Sequence, residues 1–299
     1  MTASDGARLR PELAIATAAQ LACLLEASAP KPGNVSPGRH FADARYEDFL
    51  ASAAAIGGPL ATIGEQSLGA TIDLASEATA AWTRSNTNLG IVLLLAPLAH
   101  AAHRIAASAP IKIDYTALRD ALRELLDETT VDDARAAYAA IRRTAPGGLG
   151  RAEAQDVANQ PTVTLLEAME LAVDRDGIAR EYATGFETTF TVGAPALDAA
   201  RTAGLSWDDA VVETFLTIVA NGADTHIARR GGVDLADAVT NRARAALAQG
   251  GVRSSAGRRA IEEMDAALRR DSNLANPGTS ADLTAGAIFV VLLGGGWRT

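Results

Sequence analysis

The chain has one cysteine, Cys23, in 299 residues. A single thiol excludes an intramolecular disulfide and a thiolate metal cage, and its apolar surroundings from Leu21 to Leu25 predict an inert core residue. Aromatic side chains are scarce at 4%, so a core drawn from 48% hydrophobic residues must consist of Ala, Leu, Val and Ile. Small side chains allow close helix–helix approach, and Ala favours helix intrinsically. Positive charge is also short, with 27 basic against 36 acidic residues and a net charge of -9. That balance argues against nucleic acid or an anionic membrane as the main partner. The longest apolar runs, Ile91–Ala102 and Leu283–Leu293, fall short of the roughly 20 residues that span a bilayer. Met1 to Arg10 lacks a signal-peptide pattern. These absences predict a soluble, cytoplasmic protein and leave room for a small anionic ligand held by local Lys, Arg and helix ends.

Standard motifs are missing too. The glycine-rich Pro146-Gly147-Gly148-Leu149-Gly150 lacks the Gly-Lys-Ser/Thr of a P-loop, and neither H-E-x-x-H nor G-x-S-x-G occurs. Strand signals are nearly absent, Phe190-Thr191-Val192 being the best. Helical periodicity runs almost throughout, with no linker dividing the chain. We expect an all-α fold, a single multi-helix domain over residues 1–299 made of about a dozen packed helices. Expected helices include Pro11–Ser28, Tyr46–Ile56, Ala61–Trp82, Leu89–Ile105, Ile178–Phe190 and Ser206–Asn221. Asp114–Asp127 and Val131–Arg143 read as a hairpin-like pair.

Polar residues gather at helix entrances, where free N–H groups favour anions. In Asn276-Pro277-Gly278-Thr279-Ser280-Ala281-Asp282 a turn leads to Ser280 as N-cap, which sets Asp282 in the first helical turn. Lys31-Pro32-Gly33-Asn34 joins a tight turn to a cation and an amide. His40-x-x-Asp43 follows and could orient a base or bind a cation. Asn86-Thr87-Asn88 opens an apolar helix. Gly147, Gly148 and Gly150 can form a backbone nest for phosphate, with Glu153 and Asp156 just beyond. Asn221, Asp224, Thr225 and Arg229 share one helical face, with Arg230-Gly231-Gly232 following, and Asp176 with Arg180 reads as a local ion pair. Glu65, Asp224 and Asp282, if they converge, are candidates to hold Mg²⁺ through oxygen ligands.

Taken in order, these pieces resemble the triphosphoribosyl-dephospho-CoA synthase family along nearly the whole chain. The resemblance rests on Lys31-Pro32-Gly33 with His40-x-x-Asp43, Gly64-Glu65, Asn86-Thr87-Asn88-x-Gly90, Asp224-Thr225 with Arg230-Gly231-Gly232, and Asn276-Pro277-Gly278 with Ser280-Ala281-Asp282-Leu283. Asn34, Leu89 and the central glycine segment depart from the usual family residues and mark a divergent branch. The resemblance implies a helical transferase that moves the triphosphoribosyl group of ATP to the 2′-hydroxyl of 3′-dephospho-CoA, releasing adenine. Under that reading Asp224 or Asp282 is the base. Lys31, Arg230 and the helix entrances hold the Mg²⁺-bound triphosphate, and Asn34, Asn86 or Asn88 donates to adenine. Gly33, His40, Thr87, Thr225, Asn276 and Ser280 complete the expected nucleotide- and substrate-binding set. Two alternatives stand beside it: a step of tetrahydromethanopterin-type pterin synthesis, and a Mg²⁺-dependent N-ribosyl hydrolase. The Ala-rich faces permit a homodimer.

Overall fold

A computed structural model describes residues 10–106, 112–270 and 273–298. The polar start of the chain that the sequence reading used, residues 1–9, lies outside them. Every regular element among the described residues is helical, in agreement with the all-α expectation. The first half contributes α1 (Pro11–Ser28), α2 (Tyr46–Ala55), the single turn α3 (Gly57–Leu60), α4 (Leu68–Ala80), α5 (Leu89–Ile105), α6 (Tyr115–Asp127) and α7 (Val131–Thr144). The second half adds α8 (Leu165–Glu170), α9 (Gly177–Thr184), α10 (Ala194–Thr202), α11 (Trp207–Asn221), α12 (Thr225–Gly231), α13 (Val233–Ala248), α14 (Ser255–Leu268) and α15 (Gly278–Leu293). No described helix is long and apolar enough to cross a membrane.

Two helices are apolar around their full circumference and therefore lie inside. In α15 nearly every residue from Thr279 to Leu293 is buried, and α5 is buried from Ile91 to Ala102. Helices without a polar face need neighbours on all sides; α1, α5, α10 and α11 surround α15, while α1, α4, α6 and α15 surround α5. Small residues set the spacing. A side chain at Gly193 would meet Ala287 at 2.7 Å, so α10's entrance can lie directly on α15 only with glycine there. Cys23 is buried in this core, and burial pushes its thiol far above the ordinary range, as expected of an inert residue.

Several local expectations change. Asp114–Asp127 and Val131–Arg143 do not pair as a hairpin; α6 packs on α5, and α7 packs on α4. Each presents its apolar stripe to the core rather than to its sequence neighbour. Phe190-Thr191-Val192 is not a strand but part of a π-helical turn, Thr189–Gly193. Buried Glu181 stabilises that turn by accepting from the N–H groups of Thr188 and Thr189, both at 2.9 Å. The expected helix Ile178–Phe190 accordingly ends early, with Gly185 in the left-handed conformation at its C-cap. The segment 61–82 breaks at a 3₁₀ turn, and Ser67 caps a fresh start for α4.

Most consequential for the site is the start of α15. Ser280 is not its N-cap; the helix begins at Gly278, so Ser280 is the third residue and Asp282 the fifth. The cap comes from another helix. Asp224 accepts the N–H groups of His226 (2.9 Å) and Ile227 (3.1 Å) through Oδ1, which starts α12. Its Oδ2 accepts the Ser280 N–H (2.7 Å) and hydroxyl (2.8 Å), which satisfies α15. One carboxylate thus caps two helix N-termini, where macrodipoles favour negative charge. We predict that Asp224→Ala lowers unfolding free energy by about 2–4 kcal/mol, and Asp224→Asn by distinctly less because its amide oxygen still accepts. Equal losses in chemical denaturation would contradict the double cap.

Candidate active site

The starts of α5, α12 and α15 meet at one place, alongside the end of α1. Gly90, in the first turn of α5, faces α15 so closely that a Cβ there would fall on Asp282 Oδ2. A Cβ on Gly278 would contact the His226 ring at 3.1 Å. The Lys31-Pro32-Gly33-Asn34 turn joins through Asn34, whose amide donates to Asn276 Oδ1 at 3.0 Å. Asn-Thr-Asn-x-Gly and the Asn-Pro-Gly segment therefore belong to one site.

Two clefts open from this point. The polar one is lined by Glu26, Asn34, Asp43, Asn86, Arg230 and Asn276 among others. The other is mostly apolar, with Leu93, Ile141, Leu149 and Met169 on its wall and Arg175 and Arg229 at its edge. Counted out to their open mouths, solvent included, they enclose about 1290 and 1050 Å³, and the polar cleft is the roomier. Asn86, Leu89, Gly90, His226 and Asp282 line both. The junction is a shared wall where two ligands can meet.

Asp282 dominates this junction electrostatically. Its carboxylate accepts no hydrogen bond from any described residue, although three helix starts surround it. Burial, then the nearby acids Glu26, Asp224 and Asp176, push its carboxyl well above the ordinary 3.8, and only Arg229 opposes them. Glu26 is itself buried, with Oε1 2.9 Å from Lys31 Nζ. His226 is held neutral, its pKa lowered to about 4 by burial and by Arg229 and Arg230. Its Nε2 lies 3.2 Å from Arg230 Nη1, which can only donate, so the ring proton sits on Nδ1.

The structure sorts the sequence candidates into three groups. Asp282, Asn34, Asn86, Arg230, Asn276 and Gly147 face the clefts. Asn86 is exposed, and its Oδ1 accepts the Leu89 N–H at 3.3 Å to help begin α5. Gly148 adopts φ 77° where a Cβ would press on Arg230 at 3.1 Å, so the glycine loop lies over that arginine. Gly150, at φ 65°, turns the same loop outside both linings.

A second group supports the site from behind. Lys31 is not available to phosphate: its side chain is 0% exposed, held by Glu26 and by the Glu26 and Ala29 carbonyls at the end of α1. Asp224 has both oxygens engaged as the double cap, which leaves it unsuited to be base or metal ligand. Gly33, at φ 74°, donates its N–H to Asp265 at 2.8 Å and abuts Leu268, so it docks α14 rather than a ligand. Thr87 and Asn88 rim the polar cleft but turn their side-chain hydrogen bonds inward, to Ser52 and Thr79 respectively. Thr225 accepts the Gly177 N–H at 2.9 Å, and Ser280 serves Asp224.

A third group lies elsewhere. Glu65 is exposed, next to Gly64, which abuts His103 in the last turn of α5; Asp282 sits at the first turn. The length of α5 separates them, so Glu65, Asp224 and Asp282 do not converge. His40 is exposed and accepts the Tyr46 N–H at 3.1 Å at the start of α2. Asp156 staples its own loop through the N–H groups of Ala152 and Ala158. Asp176 pairs not with Arg180 but with Arg229, at 2.6 Å. Among the described residues no three His, Cys, Asp or Glu form a metal cage by themselves.

Sequence reasoning missed Glu26, His226 and Arg175. Glu26 carried a signal, an acid on the inward stripe of an apolar helix. His226 carried one too, since it follows Asp224-Thr225 directly.

Comparison with known proteins gives one consistent result. A model of the ATP:dephospho-CoA triphosphoribosyl transferase family matches residues 12–299. A probable 2-(5''-triphosphoribosyl)-3'-dephosphocoenzyme-A synthase of Pseudomonas syringae pv. tomato is 35% identical over 113 residues, 38% of either chain. The 2-(5''-triphosphoribosyl)-3'-dephosphocoenzyme-A synthase of Pectobacterium atrosepticum is 38% identical over 109 residues, 36% of this chain and 34% of that one. The alignments thus span less than two fifths of these relatives' length. The crystal structure of a putative triphosphoribosyl-dephospho-coA synthase from Archaeoglobus fulgidus superposes with a TM-score of 0.64 and 28% identity, covering 83% of this chain and 100% of that one.

The strained environment of Asp282 generates a prediction. A carboxyl whose folded pKa exceeds its unfolded one weakens the fold as pH rises from the unfolded value through the folded one. Asp282→Asn therefore has a higher Tm than the parent at neutral pH, and the gap widens upward from the ordinary value of 3.8. A gap independent of pH would show that Asp282 is not strained.

Proposed function

The chain belongs to the ATP:dephospho-CoA triphosphoribosyl transferase family, and from that premise we propose that it transfers the triphosphoribosyl group of ATP to the 2′-hydroxyl of 3′-dephospho-CoA. The observation that supports this reading is the unpartnered Asp282 carboxylate where a polar and an apolar cleft meet. Transfer of a ribosyl carbon from the adenine nitrogen of one nucleotide to the hydroxyl of another needs such a group on the shared wall. In the reaction the C1′–N9 bond of ATP breaks and a bond from C1′ to the acceptor's 2′-oxygen forms. Asp282, whose carboxylate accepts no hydrogen bond from a described residue, takes the hydroxyl proton through one oxygen. Adenine gains one proton on leaving, so the balance closes.

The charged groups suit the transition state. Positive charge develops at C1′, and the Glu26 and Asp282 carboxylates supply preorganised negative charge beside it. Asn34 uses its amide N–H on Asn276, which leaves the Asn276 amide to donate into the cleft toward the departing base. Arg230, without an ion pair to any described acid, and the first turn of α5 offer donors to the polyphosphate.

A divalent cation fits the donor set, since two mutually repelling carboxylates face one polar cleft. Mg²⁺ commonly takes one or two carboxylates and completes its shell with phosphate and water. Glu26 and Asp282 would hold it, replacing the trio expected from the sequence, and it would neutralise triphosphate charge. Lys31 then acts as the counter-charge that keeps Glu26 aimed. A reaction fed by ATP suits the cytoplasm.

The test is adenine release by purified protein given ATP, Mg²⁺ and dephospho-CoA, followed chromatographically. Adenine should appear only with all three. Asp282→Asn and Gly90→Ala should each cut turnover about 100-fold or more while leaving helical content unchanged. Adenine formed equally from ATP alone would instead identify an N-ribosyl hydrolase.

A further inference from the structure

We propose that the two clefts divide the substrates: the apolar cleft takes the acceptor's diphosphate and its long pantetheine arm, and the polar cleft takes ATP. This rests on the transfer reaction proposed above and adds the seat of each substrate. The two clefts differ in the charges they leave uncommitted. On the polar side Glu26 and Asp282 retain carboxylate oxygens for a cation, which suits a metal-bound triphosphate. On the apolar side the edge carboxylate is Asp176, and its oxygens are committed. Oδ1 accepts the Ile178 and Ala179 N–H groups at 2.8 and 3.1 Å, and Oδ2 accepts from Arg229. The polar side adds Glu26, whereas the apolar side, apart from Asp282 on the shared wall, offers no uncommitted carboxylate for a metal.

It does have free donors. Arg229 Nε is buried without a hydrogen-bond partner, which is costly unless a ligand supplies an acceptor. Arg175 forms no ion pair within 4.0 Å with a described acid; its side chain makes one long hydrogen bond, 3.5 Å, to the Arg151 carbonyl. Two guanidinium groups without a cation site suit a bare diphosphate. Beyond them Ile141, Leu149, Val157, Met169 and Ala172 form a wall with no charged group. A dimethyl-bearing, uncharged arm matches such a wall, and a triphosphate does not. The ribose joining diphosphate to adenine then lies at the junction, with its 2′-hydroxyl toward Asp282.

Ala172→Phe fills the wall away from Asp282, and ADP is an acceptor that keeps the ribose and diphosphate but lacks the arm. The parent should prefer dephospho-CoA over ADP in kcat/KM by about tenfold or more. Ala172→Phe should erase that preference with the KM for ATP nearly unchanged. Arg175→Ala, which removes a half-buried side chain holding one long hydrogen bond, should raise the KM for both acceptors about tenfold. The assignment is overturned if the parent uses ADP equally well, or if either variant raises the KM for ATP instead. Calorimetric titration separates this from the reaction itself. If no adenine is released, dephospho-CoA binding that both variants weaken still upholds the cleft, and binding that neither weakens overturns it.

Discussion

One buried carboxylate fixes this site. Asp224 joins the start of α12 to the start of α15, and everything placed around it follows from that tie. Four donors converge on its two oxygens. Burial still pushes its carboxyl upward, so the bonds offset a real desolvation cost. Without the tie, the Ile227 and Ser280 N–H groups would lose the acceptor that Asp224 gives them, and His226 would keep only Thr279 Oγ1 at 3.2 Å. With it, Asp282 two residues further along α15 is held at the junction while making no bond of its own. The structure thus separates the acid that builds the site from the acid left free to react.

Glycine completes the arrangement by absence. Gly90 lets α5 approach Asp282 more closely than any side chain would permit, and Gly278 gives the His226 ring a flat neighbour. The result is a carboxylate crowded by other acids and by helix starts, strained in the manner of a group kept for chemistry. Lys31 and Glu26 form the opposite case, a buried pair in which each charge is matched. Such a pair adds little net stability, but it fixes the direction in which Glu26 faces.

The helical class was legible because it depends on local periodicity and composition. α1 and α5 begin and end at their expected residues, since Pro and polar residues punctuate apolar runs there. Asn86 to Gly90 reads as a site segment because it carries more polar residues than capping one helix needs, and Asn276 to Asp282 because it sets an acid at a helix entrance. The role of each side chain was not legible. Lys31 reads as an exposed cation, and only packing shows it folded back onto its own helix end. Asp224 and Asp282 look alike in sequence, and their difference lies wholly in which N–H groups reach them. Glu65 follows a motif glycine, yet its motif sits at the far end of α5. The hairpin expected of α6 and α7 failed for a related reason, because neighbours in sequence can serve different core faces.

The account stands on Asp282 being where two ligands meet. A crystal structure with a non-reactive ATP analogue, Mg²⁺ and dephospho-CoA tests this most directly. The account predicts one ribose from each cleft, with the acceptor's 2′-oxygen within about 3.2 Å of the Asp282 carboxylate. Both nucleotides in a single cleft, or a junction with no ribose near Asp282, would contradict it.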